Sequence, residues 1–535
     1  MTPPNSSFRD QYRGFPIWQM TIICIIRFSE PIAFSSLFPY VYFMIRDFGI
    51  AEREEDISKY SGYLASCFAF CQFLFAMQWG KLGDRKFGRK PILLFGLFGT
   101  SISLILFGFS KNYYMAVAAR SLAGALNGNV AVLRTMIGEI ATERRHQGLA
   151  FSTLPLLFNF GSVIGPLIGG SKYLTRPKMD NPYHPEPKVE NLGSFYNQFL
   201  DKYPYALSNI VVALFLWFSL LCGILFLEET HEKFKYRKDL GVELGDIFLK
   251  KLGITPPIRP WNKSIDPEGA GGDSTSGTDM ESELLDENSR LLVSNDESDS
   301  NVSSVVSRAS TEKDSSVAFT PAVITAITSN FIISLHSVTY NEFLPVFLAS
   351  RFKPDKLEFP FKIEGGFGLT ASYIGQLFSS TGIMGMLIVL TIFPIIDRYL
   401  GTINGFRLSV SMFPIVYFIV PLSIFTLHEY NPSFPTWVTP CVLYSLTSLK
   451  TLGSATGMPQ IMLLNHRAAP KQHRAYVNGS TMSIIALARC TGPVVFGYLM
   501  SVGDKAGHGW LLWWVMALLA LVGTFQSYMM KDYED

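Results

Sequence analysis

Ionisable side chains lie inside stretches of the chain that are otherwise apolar, and these residues are the first candidates for chemistry. Arg27 and Glu30 are three residues apart, so a helix would place them on one face. A charged group is costly in hydrocarbon, and charges inside spanning segments usually mark the pathway of a proton or a solute. The candidates for proton coupling and a central cavity are Arg27, Glu30, Arg120, Asn127, His336, Glu342, Lys450 and Arg489.

Glu30 is interpreted as a carboxylate that takes up and releases a proton. Burial favours the neutral acid and a nearby arginine favours the carboxylate, so a helix movement could change its protonation. Arg120 is the expected arginine partner of Glu30. The alternative is a fixed structural ion pair between Glu30 and either Arg27 or Arg120.

The remaining candidates each have a functional and a structural interpretation. His336 is either a group that titrates near neutral pH or a buried histidine with a satisfied hydrogen bond. Glu342 lies six residues later, about 240° around a helix, so the two side chains cannot both face a cavity. Lys450 and Arg489 either contact a solute or extend their charged ends to the membrane surface.

The composition indicates a protein that crosses a membrane many times. The chain has 535 residues, of which 48% are hydrophobic and only 16% charged, whereas soluble chains average about 25% charged. Apolar runs of about 20 residues, the length needed to cross a bilayer, alternate with short polar segments. The net charge of +2 gives no reason to expect nucleic-acid binding.

Twelve candidate spans are arranged as two sets of six, which predicts an all-α membrane protein with two pseudo-symmetric six-helix bundles. The first six are 16–45, 58–80, 91–109, 113–139, 147–171 and 206–227, and the last six are 317–349, 370–394, 408–427, 437–463, 476–501 and 509–530. The expected domains are a tail at 1–15, a bundle at 16–227, a linker at 228–316, a bundle at 317–530 and a tail at 531–535.

Basic loops set the expected orientation, because cytoplasmic loops are enriched in Lys and Arg. The segments "GKLGDRKFGRK", "HEKFKYRK" and "HRAAPKQHR" are basic and therefore expected in the cytoplasm, together with both termini. The linker is rich in Ser, Asp, Glu and Gly and poor in aromatic residues, so most of it is expected to be disordered.

An internal repeat relates the two bundles. "ERRHQGLAFSTLPLLFNFGSVIGPLIGG" aligns without a gap on "PKQHRAYVNGSTMSIIALARCTGPVVFGYL", which places His146 on His473 and Gly165-Pro166 on Gly492-Pro493. Paired halves of this kind suggest a transporter whose site lies between them near the middle of the membrane.

Three motifs carry a resemblance to a known family. They are "GKLGDRKFGRKP" between the second and third spans, "RSLAGALNGN" in the fourth and "NFGSVIGPLIGG" in the fifth. The chain resembles transporters of the major facilitator superfamily, and within it the twelve-span drug:proton antiporters and the fungal and plant zinc-induced-facilitator-like branch. The resemblance implies that the first and fourth spans line the cavity and that Arg120 is linked to proton transfer.

The resemblance also assigns two signatures. The cytoplasmic loop signature, which implies a charge latch that holds one conformation, comprises Gly80, Asp84, Arg85, Gly88 and Arg89. The antiporter helix signature comprises Gly161, Gly165, Pro166, Gly169 and Gly170. The glycines at 161, 165 and 169 share one narrow helical face, and this face is expected to form a moving or leak-tight seam.

Location and partners follow from short signals. Glu287 with Leu291 and Leu292 fits an acidic dileucine sorting signal, which favours a vacuolar or lysosomal membrane over the plasma membrane or endoplasmic reticulum and suggests sorting adaptors as partners. The other expected partners are the lipid bilayer and a small-molecule substrate, and the chain is expected to be a monomer. No cysteine pair fits a disulfide framework or a metal site.

The function predicted from these observations is secondary active transport of a small organic solute by alternating access, coupled to protons as antiport. The proton gradient is the expected energy source and no cofactor is expected. The alternatives are a facilitative uniporter and a non-transporting membrane sensor or scaffold with the same fold. An enzyme is not expected, because the sequence shows no nucleophile–base grouping and no phosphate-binding loop. The excess of cationic candidates favours an anionic or zwitterionic solute.

Overall fold

Helices account for nearly all of the regular structure. In a computed structural model, the described residues are 14–141, 144–178, 194–257, 259, 261, 319–470 and 474–532. The first half contains α1 (Ile17–Ser35), α2 (Val41–Asp47), α3 (Ile57–Leu82), α4 (Arg89–Gly108), α5 (Tyr113–Leu126), α6 (Asn129–Ile140), α7 (Arg144–Gly169), α8 (Ser194–Lys202), α9 (Ala206–Phe226) and α10 (Leu240–Lys251). The second half contains α11 (Pro321–Ala349), α12 (Ala371–Leu387), α13 (Phe393–Leu422), α14 (Val438–Ala468), α15 (Arg474–Lys505) and α16 (Leu511–Met529).

Local sequence signals explain where several helices begin. Asn112, Thr320 and Thr370 precede α5, α11 and α12, and each side chain accepts a hydrogen bond from a backbone N–H in the first turn. Such caps satisfy donors that have no partner inside the helix. Pro321 occupies the first turn of α11, where the missing N–H costs nothing.

The all-α membrane architecture is confirmed. Eight segments of the described chain are long and apolar enough to cross a membrane. One of them, Ala371–Thr426, covers both α12 and α13, and Gly401, with a φ of 70°, interrupts the helical backbone within α13 so that the segment provides two spans. Three more predicted spans, represented by α5 with α6, α7 and α14, are shorter or more polar. The helices therefore occupy the twelve predicted positions, although length and apolarity alone identify eight segments.

The beginning of the linker differs from the expectation. The sequence predicts that residues 228–256 belong to a mostly disordered linker, but this part contains α10, which packs on α9 of the first half. Averaging the composition over the whole insert concealed a short helix with apolar faces. Residues 262–318 lie outside the described part of the chain.

The internal repeat matches the packing of the two halves. Gly165 of α7 lies against Ile32 and Ser35 of α1, and Gly492 of α15 lies against α11 at Leu335. In each half, the glycine of the repeated Gly-Pro pair therefore packs on the first spanning helix of that half. Between the halves, α7 packs along α12 and α3 packs along α15.

Candidate functional site

A cavity of about 340 Å³ lies between the two halves and is lined by helices from both. Helices α1, α3, α4, α5, α6 and α7 contribute from the first half, and α11 and α15 contribute from the second. Four arginines and two glutamates line it: Arg27, Arg120, Arg134, Arg489, Glu30 and Glu342. The cavity wall therefore carries more positive than negative formal charge.

The structure places six of the eight candidate cavity residues in this lining. They are Arg27, Glu30, Arg120, Asn127, Glu342 and Arg489. His336 and Lys450 do not line the cavity. Arg134 also lines the cavity, although it is not among the eight candidates. Gln72, Thr100 and Asn341 are missed as well, because uncharged polar side chains are common in spanning helices and give no distinctive signal.

Glu30 forms its ion pair with Arg27, not with the expected partner Arg120. Both residues belong to α1 and are separated by one helical turn, so the pair forms without any contribution from tertiary packing. One carboxylate oxygen of Glu30 and the Nε of Arg27 have no hydrogen-bond partner among the described residues. This ion pair within α1 is the one that the structural interpretation of Glu30 proposes for Arg27 and Glu30.

Arg120 is buried on α5 and lies over an aromatic ring. Its guanidinium carbon is 4.7 Å from the centre of the Phe68 ring, which is a cation–π geometry. Its Nε has no hydrogen-bond partner in the described part of the chain. The guanidinium is therefore held in place by Phe68 while its donors remain available to a solute in the cavity.

Glu342 is the second carboxylate of the cavity and lies on α11 in the other half. It is buried, and the positive charges that act on it are Arg120 of the first half and Arg489 of the second. Among the described residues, no basic group lies within ion-pair distance of Glu342. The two glutamates thus differ, since Glu30 is paired and Glu342 is not.

Lys450 lies behind the cavity wall. Its Nζ donates a hydrogen bond to Oδ1 of Asn341 at 3.0 Å and lies 4.9 Å from the centre of the Tyr340 ring. Because Asn341 lines the cavity and Lys450 does not, Lys450 acts on the cavity through the orientation of the Asn341 amide.

His336 is a buried histidine with a satisfied hydrogen bond. Its Nδ1 is 2.8 Å from the hydroxyl of Tyr417, and its ring centre is 4.7 Å from that of Phe413. The expected helical offset is confirmed, because Glu342 faces the cavity and His336 faces α13. The expectation that His336 lines the cavity is wrong. Helical periodicity shows that His336 and Glu342 cannot share one face, but it does not show which of the two faces the cavity.

Replacing Tyr417 with phenylalanine should lower thermal stability and leave the pH dependence of transport unchanged. The buried Nδ1 of His336 would lose its partner, at a cost of about 1–3 kcal/mol. Melting of the purified protein and proton-coupled flux at several pH values would measure both effects. A changed pH profile with normal stability would instead assign His336 to the proton pathway.

An ionic network joins the two halves at one end of the molecule. We call this end the sealed face; it comprises the start of α3, the segment 350–370 and the end of α15. Lys353 contacts Glu55 at 2.6 Å and Glu364 at 2.9 Å, and Lys505 contacts Asp56 at 2.6 Å. Ion pairs between residues of the two halves therefore hold the halves together at this end.

Two groups of the sealed face have shifted pKa values. Burial opposes the charge of Lys353, but its hydrogen bonds with Glu55 and Glu364 outweigh burial and raise its pKa above the usual range. Burial raises the pKa of Glu364, but hydrogen bonds from Lys356 and Lys353 outweigh burial and lower this pKa below the usual range. Lys353 stabilises the folded network at pH values below the pKa that lysine has in the unfolded chain, and Glu364 does so at pH values above the pKa of glutamate in the unfolded chain. Both residues therefore contribute at neutral pH.

The loop signature forms a tight turn between α3 and α4. Gly88 has a φ of 92°, and a side chain at this position would collide with the carboxylate of Glu229. That carboxylate accepts hydrogen bonds from the backbone N–H groups of Arg89 and Lys90 at 2.9 and 3.1 Å. A glycine is needed because it adopts this conformation and leaves room for the acceptor.

Only part of the expected charge latch lies in the described structure. Arg89 pairs with Glu139 at the end of α6, at 3.3 Å and within the same half. The side chains of Asp84 and Arg85 lie outside the described part of the structure, and Gly80 has open space around it.

The glycine face of α7, which is expected to form a moving or leak-tight seam, packs against α1 and not between the two halves. Side chains at Gly161, Gly165 and Gly169 would collide with α1, which belongs to the same half. The contact between halves lies on another side of α7, where Gly170 and the Pro166 carbonyl meet Gly375 of α12. Repeated glycines predict close helix packing, but they do not identify the neighbouring helix.

The remaining predicted sites do not add to the cavity. The sorting residues Glu287, Leu291 and Leu292 lie outside the described residues. Within the part of the chain that the structure describes, no cluster of His, Cys, Asp or Glu could hold a metal ion, and the cysteines are free thiols.

Comparison with known proteins identifies the family to which this chain belongs. The profile of the Major Facilitator Superfamily matches residues 23–353. The chain belongs to this superfamily. A relative named "Major facilitator superfamily multidrug transporter mfsB" from Aspergillus fumigatus is 34% identical over 98% of this chain and 85% of its own length.

Two further similarities support the major facilitator fold and the branch suggested by the motifs. "Protein ZINC INDUCED FACILITATOR-LIKE 1" of Arabidopsis thaliana is 26% identical over 92% of this chain and 86% of its own length. The crystal structure of the human organic anion transporter MFSD10 matches 96% of this chain and 99% of its own, with a TM-score of 0.54 and 16% identity. The predicted membership is confirmed, and the protein is a membrane transporter of this superfamily.

Proposed function

We propose that this transporter exports a small organic anion or zwitterion by coupling its movement to protons, with a zwitterion exchanged for protons as in antiport. The observation that carries the proposal is the charge of the cavity, where four arginines face two glutamates and one glutamate, Glu342, has no ion-pair partner among the described residues. The arginines provide paired donors for a carboxylate or phosphate group. The aromatic residues Phe34, Phe68 and Phe158 provide surfaces for the apolar part of an amphiphilic solute.

Proton coupling is proposed to act through Glu342 and its two arginine neighbours. A bound anion would pair with Arg120 and Arg489, which would remove the positive charges that favour the Glu342 carboxylate. The anion and the ionised Glu342 carboxylate compete for the same arginines, so binding of an anion favours protonation of Glu342 and carries the proton with it. A zwitterion whose ammonium group pairs with Glu342 would instead displace the proton, and this competition is what antiport requires.

Location and orientation remain part of the proposal. We expect both termini in the cytoplasm and the protein in a vacuolar or lysosomal membrane, on the basic loops and the dileucine pattern. The A. fumigatus relative is named a multidrug transporter, which supports an amphiphilic organic solute.

The test is flux into proteoliposomes with three solutes of similar size: an aromatic carboxylate, its neutral amide and the corresponding aromatic amine. We expect the flux of the carboxylate to be driven by an imposed proton gradient and the amine to move least. A preference for the amine would contradict the anion assignment. Carboxylate flux that ignores the gradient would indicate a uniporter, and no flux of any solute would favour a sensor.

A further inference from the structure

The helix α10 follows the last spanning helix of the first half and is fixed against it. Gly245 brings the backbone of α10 onto the carbonyl of Leu225, where a side chain would collide. Asp239 caps α10 by accepting a hydrogen bond from the N–H of Gly241 at 2.9 Å, and it also contacts Nζ of Lys90 at 2.7 Å. The position of α10 on the first half is therefore well defined.

A second apolar face of α10 points away from the protein. Its residues are Leu240, Leu244, Ile247 and Phe248, whose exposed fractions are 72%, 61%, 53% and 52%. At 100° per residue, these four side chains lie within an arc of about 100°. This arc is roughly opposite to Val242 and Leu249, which are buried against the protein.

The remaining side of α10 is polar and comprises Glu243, Asp246 and Lys250, whereas Lys251, the last residue of the helix, projects within the arc of the apolar flank. A helix of 12 residues is about 18 Å long, which is too short to cross a bilayer. A helix with one apolar and one charged flank is suited to lie in the membrane surface, with the apolar flank in the acyl chains.

Basic residues surround α10. Between residues 233 and 251 there are six basic and three acidic side chains, and Lys233, Arg237, Lys250 and Lys251 are exposed. The carboxylate of Asp239 is occupied by Lys90. This excess of positive charge beside an exposed apolar flank is complementary to a membrane surface that contains anionic headgroups.

We propose that α10 lies in the membrane surface and binds anionic lipid through the basic residues on either side of it. The bilayer is the occupant because α10 packs on α9, a spanning helix that exposes apolar side chains itself: Leu214, Phe218 and Leu221 are 52%, 58% and 53% exposed. This inference concerns a surface remote from the cavity and does not depend on the transported solute.

The first test measures whether the apolar flank enters the lipid. Phe248→Cys and, as its matched control, Lys250→Cys are made in a variant whose six native cysteines are replaced by alanine. The two positions are two residues apart on opposite flanks of one helix. Each protein is placed in nanodiscs, which expose both membrane surfaces, and reacted with a charged maleimide.

We expect labelling at position 248 to be about tenfold slower than at position 250, because only the former side chain is covered by acyl chains. Equal rates at the two positions would overturn the proposal. The melting temperature of each variant shows whether it is folded, and Leu244→Cys provides a second position on the apolar flank if Phe248→Cys is not.

The second test measures the contribution of charge. Retention of phosphatidylserine by the full-length protein is compared with that of Lys250→Gln/Lys251→Gln by native mass spectrometry. We expect retention to fall roughly fivefold per removed charge. The control, Lys111→Gln/Lys202→Gln, removes the same charge outside the α10 region and should retain the lipid. Equal loss in both variants, or loss in neither, would overturn anionic lipid binding at α10.

Discussion

Glu342→Gln should abolish proton-driven accumulation of solute while leaving the exchange of solute for solute intact. Glutamine keeps the shape and polarity of the side chain but cannot carry a proton between the two sides of the membrane. A gradient of one pH unit supplies about 1.4 kcal/mol per proton, which corresponds to about tenfold accumulation. In the variant, this ratio should fall to the value reached without a gradient.

The matched variant is Glu30→Gln, because Glu30 is the other carboxylate of the cavity. Its ion pair with Arg27 lies within α1 and is predicted to be retained through the cycle. Loss of this pair should therefore weaken solute binding or stability without removing the response to a proton gradient. Both variants are compared by gradient-driven uptake and by counterflow in the same proteoliposomes.

The opposite result would reassign the proton site. If Glu342→Gln still accumulates solute and Glu30→Gln does not, the proton carrier is Glu30, as the sequence alone suggests. If neither variant changes the response to the gradient, coupling through a cavity carboxylate is wrong, and a uniporter accounts for the fold equally well.

The fold was predictable from the sequence because its main determinant is local. A run of apolar residues long enough to cross a bilayer must form a helix, since a backbone in hydrocarbon has to satisfy its own hydrogen bonds. The repeat then indicated two related halves, and Gly165 and Gly492 do occupy equivalent positions in them. The exception is α10, whose 12 residues lie within an insert that is polar on average.

The contacts of the cavity residues were less predictable because they depend on how helices are rotated and packed. The i,i+3 spacing placed Arg27 and Glu30 on one face, but it could not show that Arg120 would lie over Phe68 instead of reaching Glu30. Similarly, periodicity separated His336 from Glu342 but did not identify Tyr417 as the partner of His336. A pattern within one helix limits such choices, and neighbouring helices decide them.

Gly165→Leu and Gly375→Leu should fail in different ways, although both introduce a large side chain into a tight helix contact. Gly165 faces α1 within one half, and this contact is needed in every conformation. Leucine there should lower the melting temperature and the yield of folded protein, because overpacking costs about 1–3 kcal/mol. Gly479→Leu is the control, since a side chain at Gly479 would meet nothing.

Gly375 instead faces Pro166 and Gly170 across the boundary between the halves, near the sealed face. In alternating access this contact exists only while that face is closed, so leucine should destabilise the closed conformation without unfolding either half. A penalty of about 1–3 kcal/mol shifts the population toward the conformation open at this face by about 5- to 150-fold. The readout is the labelling rate of a cysteine introduced at Ser501, beside Asp56, with an impermeant maleimide. Faster labelling with a near-normal melting temperature is expected for Gly375→Leu and not for Gly165→Leu. The reverse pattern would place the moving boundary at the contact between α1 and the glycine face of α7.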